Sequence, residues 1–105
     1  MSFAVRLTVE AQADLERLFD FVLARELARD DGDLELAAEA LAAIQAGLKA
    51  LERFSFTCRK AADSPFLREL VIPFGNTGYV ALFEIQDAAT VTVAAVRHQR
   101  EDDYH

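Results

Sequence analysis

The chain has 105 residues, 52% of them apolar, with a formal net charge of −7 and a single cysteine, Cys58. That length supports one two-layered core, so a single domain over residues 1–105 is expected, while the apolar content excludes disorder and the lack of an uncharged apolar run of about eighteen residues excludes a spanning helix. One cysteine excludes an internal disulfide and a Cys-based metal cluster, and the acidic excess argues against nonspecific attraction to nucleic acid or anionic lipid.

From the N-terminus, Phe3 to Leu7 alternates, with Phe3, Val5 and Leu7 on one side and Ala4 and Arg6 on the other, the period of a half-buried strand. Thr8 is placed to cap a helix with Glu10 in its first turn, where the macrodipole favours an anion. Leu15, Leu18, Phe19, Val22 and Leu23 recur along one face and carry that helix to about Arg29. Asp30, Asp31, Gly32 and Asp33 form a short polar break, in which Gly32 can take a positive φ and Asp33 can cap the next helix. Ala37, Leu41, Ile44, Leu48 and Leu51 mark that second helix, and so short a break requires the pair to pack as an antiparallel hairpin. Phe54 to Pro65 has no period and reads as a loop whose Phe54 and Phe56 plug the base of the hairpin.

From Leu67 the period switches to strands. Leu67 to Ile72, Tyr79 to Ile85 and Val91 to Val96, separated by turns at Pro73 to Gly78 and Gln86 to Ala89, form an antiparallel meander. The predicted fold is therefore α+β, order β-α-α-β-β-β, with a helical hairpin packed on one face of a small, mostly antiparallel sheet. Its expected core is Val5, Leu15, Leu18, Phe19, Val22, Leu41, Ile44, Leu48, Leu70, Ile72, Val80, Leu82, Val91, Val93 and Val96.

The charge is unevenly distributed. Eleven acidic and five basic residues lie between Glu10 and Arg53, whereas the second half carries Arg59, Lys60, Arg68, Arg97 and Arg100. The last strand starts apolar and ends on Arg97, His98, Gln99 and Arg100, just before an acidic tail. Packing gives no reason for a core strand to end so, and this polar set is the candidate functional surface. The two histidines and the acidic residues offer no ligand-like i, i+4 pair, so neither metal nor cofactor is expected.

The opening LTVEAQADL, the helix ending LKALERF, the segment LRELVIPFGNTGYVALFEI and the closing VAAVRHQREDDY together resemble a toxin of the RelE/ParE superfamily from bacterial type II toxin–antitoxin modules. The resemblance covers nearly the whole chain. It implies a cytoplasmic toxin, encoded by a plasmid-stabilisation type of module and neutralised by a cognate antitoxin, with which it would form a hetero-oligomer unless it is a homodimer. RelE-like members cleave messenger RNA on the ribosome with basic residues and often a tyrosine or histidine. ParE-like members lack the full catalytic set and inhibit DNA gyrase.

The positions that match the RelE-like set are Arg68, Arg97, His98 and Tyr104, and only Arg59 and Lys60 stand where RelE-like nucleases carry lysines before the meander. In the nuclease reading His98 is the acid or base, and Arg68 with Arg97 or Arg100 clamps the phosphate. Each residue also has a structural explanation: His98 as a strand-end histidine bonded to backbone or to one of the tail residues Glu101 to Asp103, Arg97 as an ion-pair partner of that tail, Arg68, followed by Glu69, in a cross-strand ion pair, and Tyr104 as part of a frayed terminus. The thin lysines and the acidic charge favour the ParE-like branch, with Arg68, Arg97, His98 and Arg100 as its first candidate surface. The RelE-like nuclease, or a degenerate member that only binds its antitoxin, are the alternatives.

Overall fold

The computed structural model describes residues 2–61 and 66–99. Strand β1 (Ala4–Leu7) leads into helix α1 (Val9–Leu27), which is followed by helix α2 (Leu36–Phe54), a 3-10 turn (Ser55–Thr57) and strands β2 (Arg59–Lys60), β3 (Leu67–Phe74), β4 (Thr77–Ile85) and β5 (Thr90–His98). The five strands form one sheet in the order β1-β5-β4-β3-β2, with β1 parallel to β5 and the other pairs antiparallel. The expected α+β order holds. To it the structure adds β2, a two-residue edge strand inside the stretch read as loop.

Thr8 caps α1, its hydroxyl accepting the Ala11 N–H at 3.0 Å. The helix ends at Leu27, earlier than the expected Arg29, because the chain folds back over Glu26. That side chain is only 3% exposed and accepts the Asp33 N–H at 3.0 Å, with Arg25 and Arg29 beside it. Gly32 is needed here for a reason other than the expected positive φ, which it does not adopt: a Cβ at this position would lie 1.8 Å from the Glu26 carbonyl oxygen. Asp33 does not cap α2. Its carboxylate accepts the Glu35 N–H, and Glu35, the N-cap residue, makes no side-chain cap bond.

On α2, Ala37, Ala40, Ile44, Leu48 and Leu51 are buried. A Cβ on Gly47 would come within 2.8 Å of the Ile72 side chain, so the helix lies directly on β3. Phe54 and Phe56 do not plug the hairpin. They are 57% and 62% exposed, although the Phe56 ring meets Phe3 edge-on with centroids 5.3 Å apart.

The β3–β4 hairpin closes through Gly75 and Asn76, with Phe74 paired to Thr77. Gly75 has φ 61°, the positive value that the first position of a II′ turn requires. Between β4 and β5 the register shifts: Leu82 pairs with Ala95 and Phe83 with Val93, so Ala94 is an extra residue, a β-bulge. The bulge lets Val91, Val93 and Val96 all face the helices, as expected, although 93 and 96 have opposite parity.

Of the other expected core residues, Leu18, Val22, Ile44, Leu48, Ile72 and Val80 are buried, while Val5, Leu15, Phe19, Leu41, Leu70 and Leu82 are half-buried. In β4 the parity differs from expectation: Tyr79, Ala81 and Phe83 belong to the core cluster and Val80 packs outside it. The run Tyr79 to Phe83 is apolar at every position, so periodicity cannot choose its inward side.

Candidate functional site

Residues directly opposite one another in neighbouring strands share a face of the sheet, and alternate residues along a strand face opposite ways. Arg68 pairs with Phe83, and His98 pairs with Tyr79. Both therefore sit on the helix side of the sheet, at opposite ends of it. Four residues along β4 and two strand spacings across place their Cα atoms about 16 Å apart. Arg97 pairs with Val80 and lies on the opposite face from His98. Arg68, Arg97 and His98 thus do not converge on one point, while Arg100 and Tyr104 lie outside the described residues.

Arg68, Arg59 and His98 have local partners. Arg68 Nη1 donates to the carbonyl oxygens of Phe56 at 3.3 Å and Cys58 at 2.7 Å, which ties the 3-10 turn to β3. The expected Arg68–Glu69 relation is replaced by a cross-strand pair: Glu69 is opposite Arg59 and forms its ion pair there. Lys60 is opposite Arg68. His98 Nε2 is 3.0 Å from the Thr77 hydroxyl, and its ring stands edge-on to Tyr79 with centroids 5.6 Å apart. Burial pushes the Tyr79 phenol up, opposed by the charge of Arg25. Burial likewise raises the Cys58 thiol, opposed by Arg68, so Cys58 is no activated nucleophile.

Two polar side chains of the α1 region that the sequence did not single out for this role fix the end of β5. The Thr8 hydroxyl donates to Ala94 O at 3.2 Å, and Asp14 accepts the Val96 N–H at 3.0 Å. Together they hold the bulge and hence the faces on which Arg97 and His98 emerge. The sequence signal for Asp14 was a carboxylate directly beside the apolar stripe.

An open groove of about 540 Å³ lies between the helices, lined by Gln12, Leu15, Glu16, Phe19, Asp20, Leu41 and Gln45. It continues through Leu15 and Gln45 into a second hollow floored by Val5, Leu7 and Leu48 beside β1. Among the described residues β1 pairs only with β5, so its other edge is open. Leu15, Phe19 and Leu41 supply the apolar wall of the first groove, Gln12 and Gln45 are polar, and its rim carries the Glu16 and Asp20 carboxylates; Lys49 and Glu52 line the second hollow. Among the described residues no three His, Cys, Asp or Glu side chains gather as a metal site, and no helix is long and apolar enough to cross a membrane.

A search of curated protein sequences finds no match. Among solved structures, one described as the chromosomal ParDE TA system from P. aeruginosa superposes with a TM-score of 0.70 at 17% identity, over 92% of this chain and 96% of that one, which shows a shared fold. A sequence model of the family described as "ParE toxin of type II toxin-antitoxin system, parDE" matches residues 5–103, and the chain is a member of that family.

Proposed function

We propose that this chain is the toxin of a type II toxin–antitoxin module, acting in the cytoplasm to arrest growth by inhibiting DNA gyrase. The observation that carries the choice of target is the dispersal of the nuclease candidates. A metal-free ribonuclease needs its acid, its base and its phosphate-binding cations around a single phosphate. Here Arg68 and His98 occupy opposite ends of the sheet, and Arg97 faces away from His98. A net charge of −7 further opposes approach to dense ribosomal RNA within the Debye length of about 8 Å, whereas it does not hinder binding to a protein.

The cognate antitoxin fits the groove between α1 and α2 and the open edge of β1. An antitoxin segment that folds on binding can lay apolar side chains onto Leu15, Phe19 and Leu41 and then pair with β1 as an added strand. The carboxylates of Glu16 and Asp20 on the rim call for Lys and Arg on that segment.

One induction experiment tests the target. Expression without antitoxin should give an SOS response and filamentous cells while translation continues. Rapid loss of translation with codon-positioned cuts in messenger RNA would assign the RelE-like activity instead, and harmless expression would leave a degenerate, antitoxin-binding role.

A further inference from the structure

Four of the chain's eleven Lys and Arg residues lie at the end of α2 and on the β2–β3 edge: Arg53 on α2, Lys60 and Arg68 opposite each other on β2 and β3, and Arg59 on the other face of that edge, opposite Glu69. Within residues 49–60 and 67–74 the accompanying carboxylates are Glu52 and Glu69, and Glu69 is paired with Arg59. The same corner exposes Phe54, Phe56 and Phe66 by 57%, 62% and 73%. Contact ties the parts together. Arg68 binds the backbone of Phe56 and Cys58, Lys60 is its cross-strand neighbour, and the Thr57 hydroxyl donates to Phe54 O at 2.7 Å. Phe54 and Phe66 are not among the residues packed on the buried cluster, and Phe56 meets it edge-on through Phe3 with most of its ring surface left exposed, so the core does not account for this exposed aromatic surface.

We infer that this corner is a docking surface for a protein, distinct from the acidic groove, and that its occupant presents an apolar pocket ringed by carboxylates. Charge complementarity identifies the rim. On a chain of net charge −7 this is a concentration of cations, opposite in sign to the Glu16 and Asp20 rim of the groove. The aromatic content identifies the centre, because rings flanked by Arg are the composition of interface hot spots. A protein fits better than RNA: Arg68 is committed to two carbonyl oxygens and Arg59 to Glu69, so rim charge falls to Arg53 and Lys60, while apolar ring surface dominates. The inference rests on the gyrase reading, in which the toxin needs one surface for its antitoxin and another for its target.

The test compares toxin recovered from its antitoxin complex with two variants, Phe54→Ser and the charge reversal Arg53→Glu/Lys60→Glu. The second alters only polar side chains outside the core, which guards against a folding defect in the first. Supercoiling of relaxed plasmid by purified gyrase holoenzyme should need about tenfold or more of either variant for half inhibition, with antitoxin binding kept. A wild type that leaves supercoiling untouched overturns the gyrase reading itself. Wild-type inhibition matched by both variants overturns only this surface, as does parallel loss of antitoxin binding. Binding of a labelled single-stranded RNA oligonucleotide that both variants abolish overturns the choice of a protein occupant.

Discussion

The two helices have the same length and lie side by side, yet they are held in different ways. Helix α1 is fastened at both ends by polar side chains. At its start Thr8 and Asp14 bind β5, residues more than eighty positions away; at its end the Glu26 carboxylate binds the turn into α2. Helix α2 has no side-chain cap bond at its N-terminus, and the hydroxyl of its C-cap residue, Ser55, is buried without a hydrogen-bond partner among the described residues. It is held by apolar burial, with Ile44, Leu51 and Leu48 nearly inaccessible and Gly47 pressed on Ile72. The difference bears on function, because α1 supplies most of the groove wall, from Gln12 to Asp20, between its two fastenings. Polar bonds fix direction as well as distance, so the groove is fixed in orientation against the sheet.

If α2 depends on burial, truncating its core should give the largest loss. Ile44 is 1% exposed, and Ile44→Ala should destabilise the fold by about 2–5 kcal/mol, from lost transfer energy and the cavity left behind. Denaturant unfolding of the isolated variant measures this. A loss below about 1 kcal/mol would mean that α2 is held by something other than its apolar face.

Glu26→Gln tests the fastening of α1 and should cost less. The bond from Asp33, joined by Arg25 and Arg29 and opposed by burial, holds the Glu26 carboxyl below its ordinary value of 4.5. A carboxylate whose pKa is lowered by folding contributes stability that is present above its unfolded value and is lost as pH falls through the folded one. The wild type should therefore exceed the variant in stability at pH 7, and the gap should narrow as pH drops below 4.5. Thermal melts from neutral pH down to about pH 3 are the measurement. A gap that does not change with pH would place the effect in packing and not in charge.

How much of this was legible in the sequence varies with the physical signal. The hairpin was legible because both helices have a single apolar stripe, and so was the burial of Val91, Val93 and Val96, though not the bulge that turns them to one face. The inward side of β4 was not, since Tyr79 to Phe83 gives no alternation. The role of Glu26 was hidden because a carboxylate on an amphipathic helix ordinarily faces water, and only the fold of the turn shows that it is covered. For the candidate site, alternation alone already places Arg97 and His98 on opposite faces. The separation of Arg68 from His98, in contrast, needs the strand register, which depends on the turn and the bulge and on no single residue. A cation and the rings of the corner were visible individually as Lys60, Phe54 and Phe56. Their common surface depends on β2, a strand too short for any period to reveal.

The smallest expected effect is at the end of α2, and it has the opposite sign. Ser55 is fully buried and its hydroxyl has no hydrogen-bond partner among the described residues. Taking a hydroxyl out of water without compensation costs about 1–3 kcal/mol by mutational measures. Ser55→Ala removes that cost and leaves a void of only one oxygen atom, with the backbone bond from Cys58 N–H to Ser55 O untouched. The variant should be more stable by about 1 kcal/mol, a rise in melting temperature of roughly 4–8 °C for a domain of this size. It also separates the two modes of holding a helix. Replacing Asp14 or Glu26 removes an acceptor from a partner that stays behind, whereas Ser55 leaves no partner behind. Destabilisation of Ser55→Ala by a similar amount would show that the hydroxyl is bonded after all, and that α2 too is fastened by a polar group where the chain turns toward Phe56 and the basic corner.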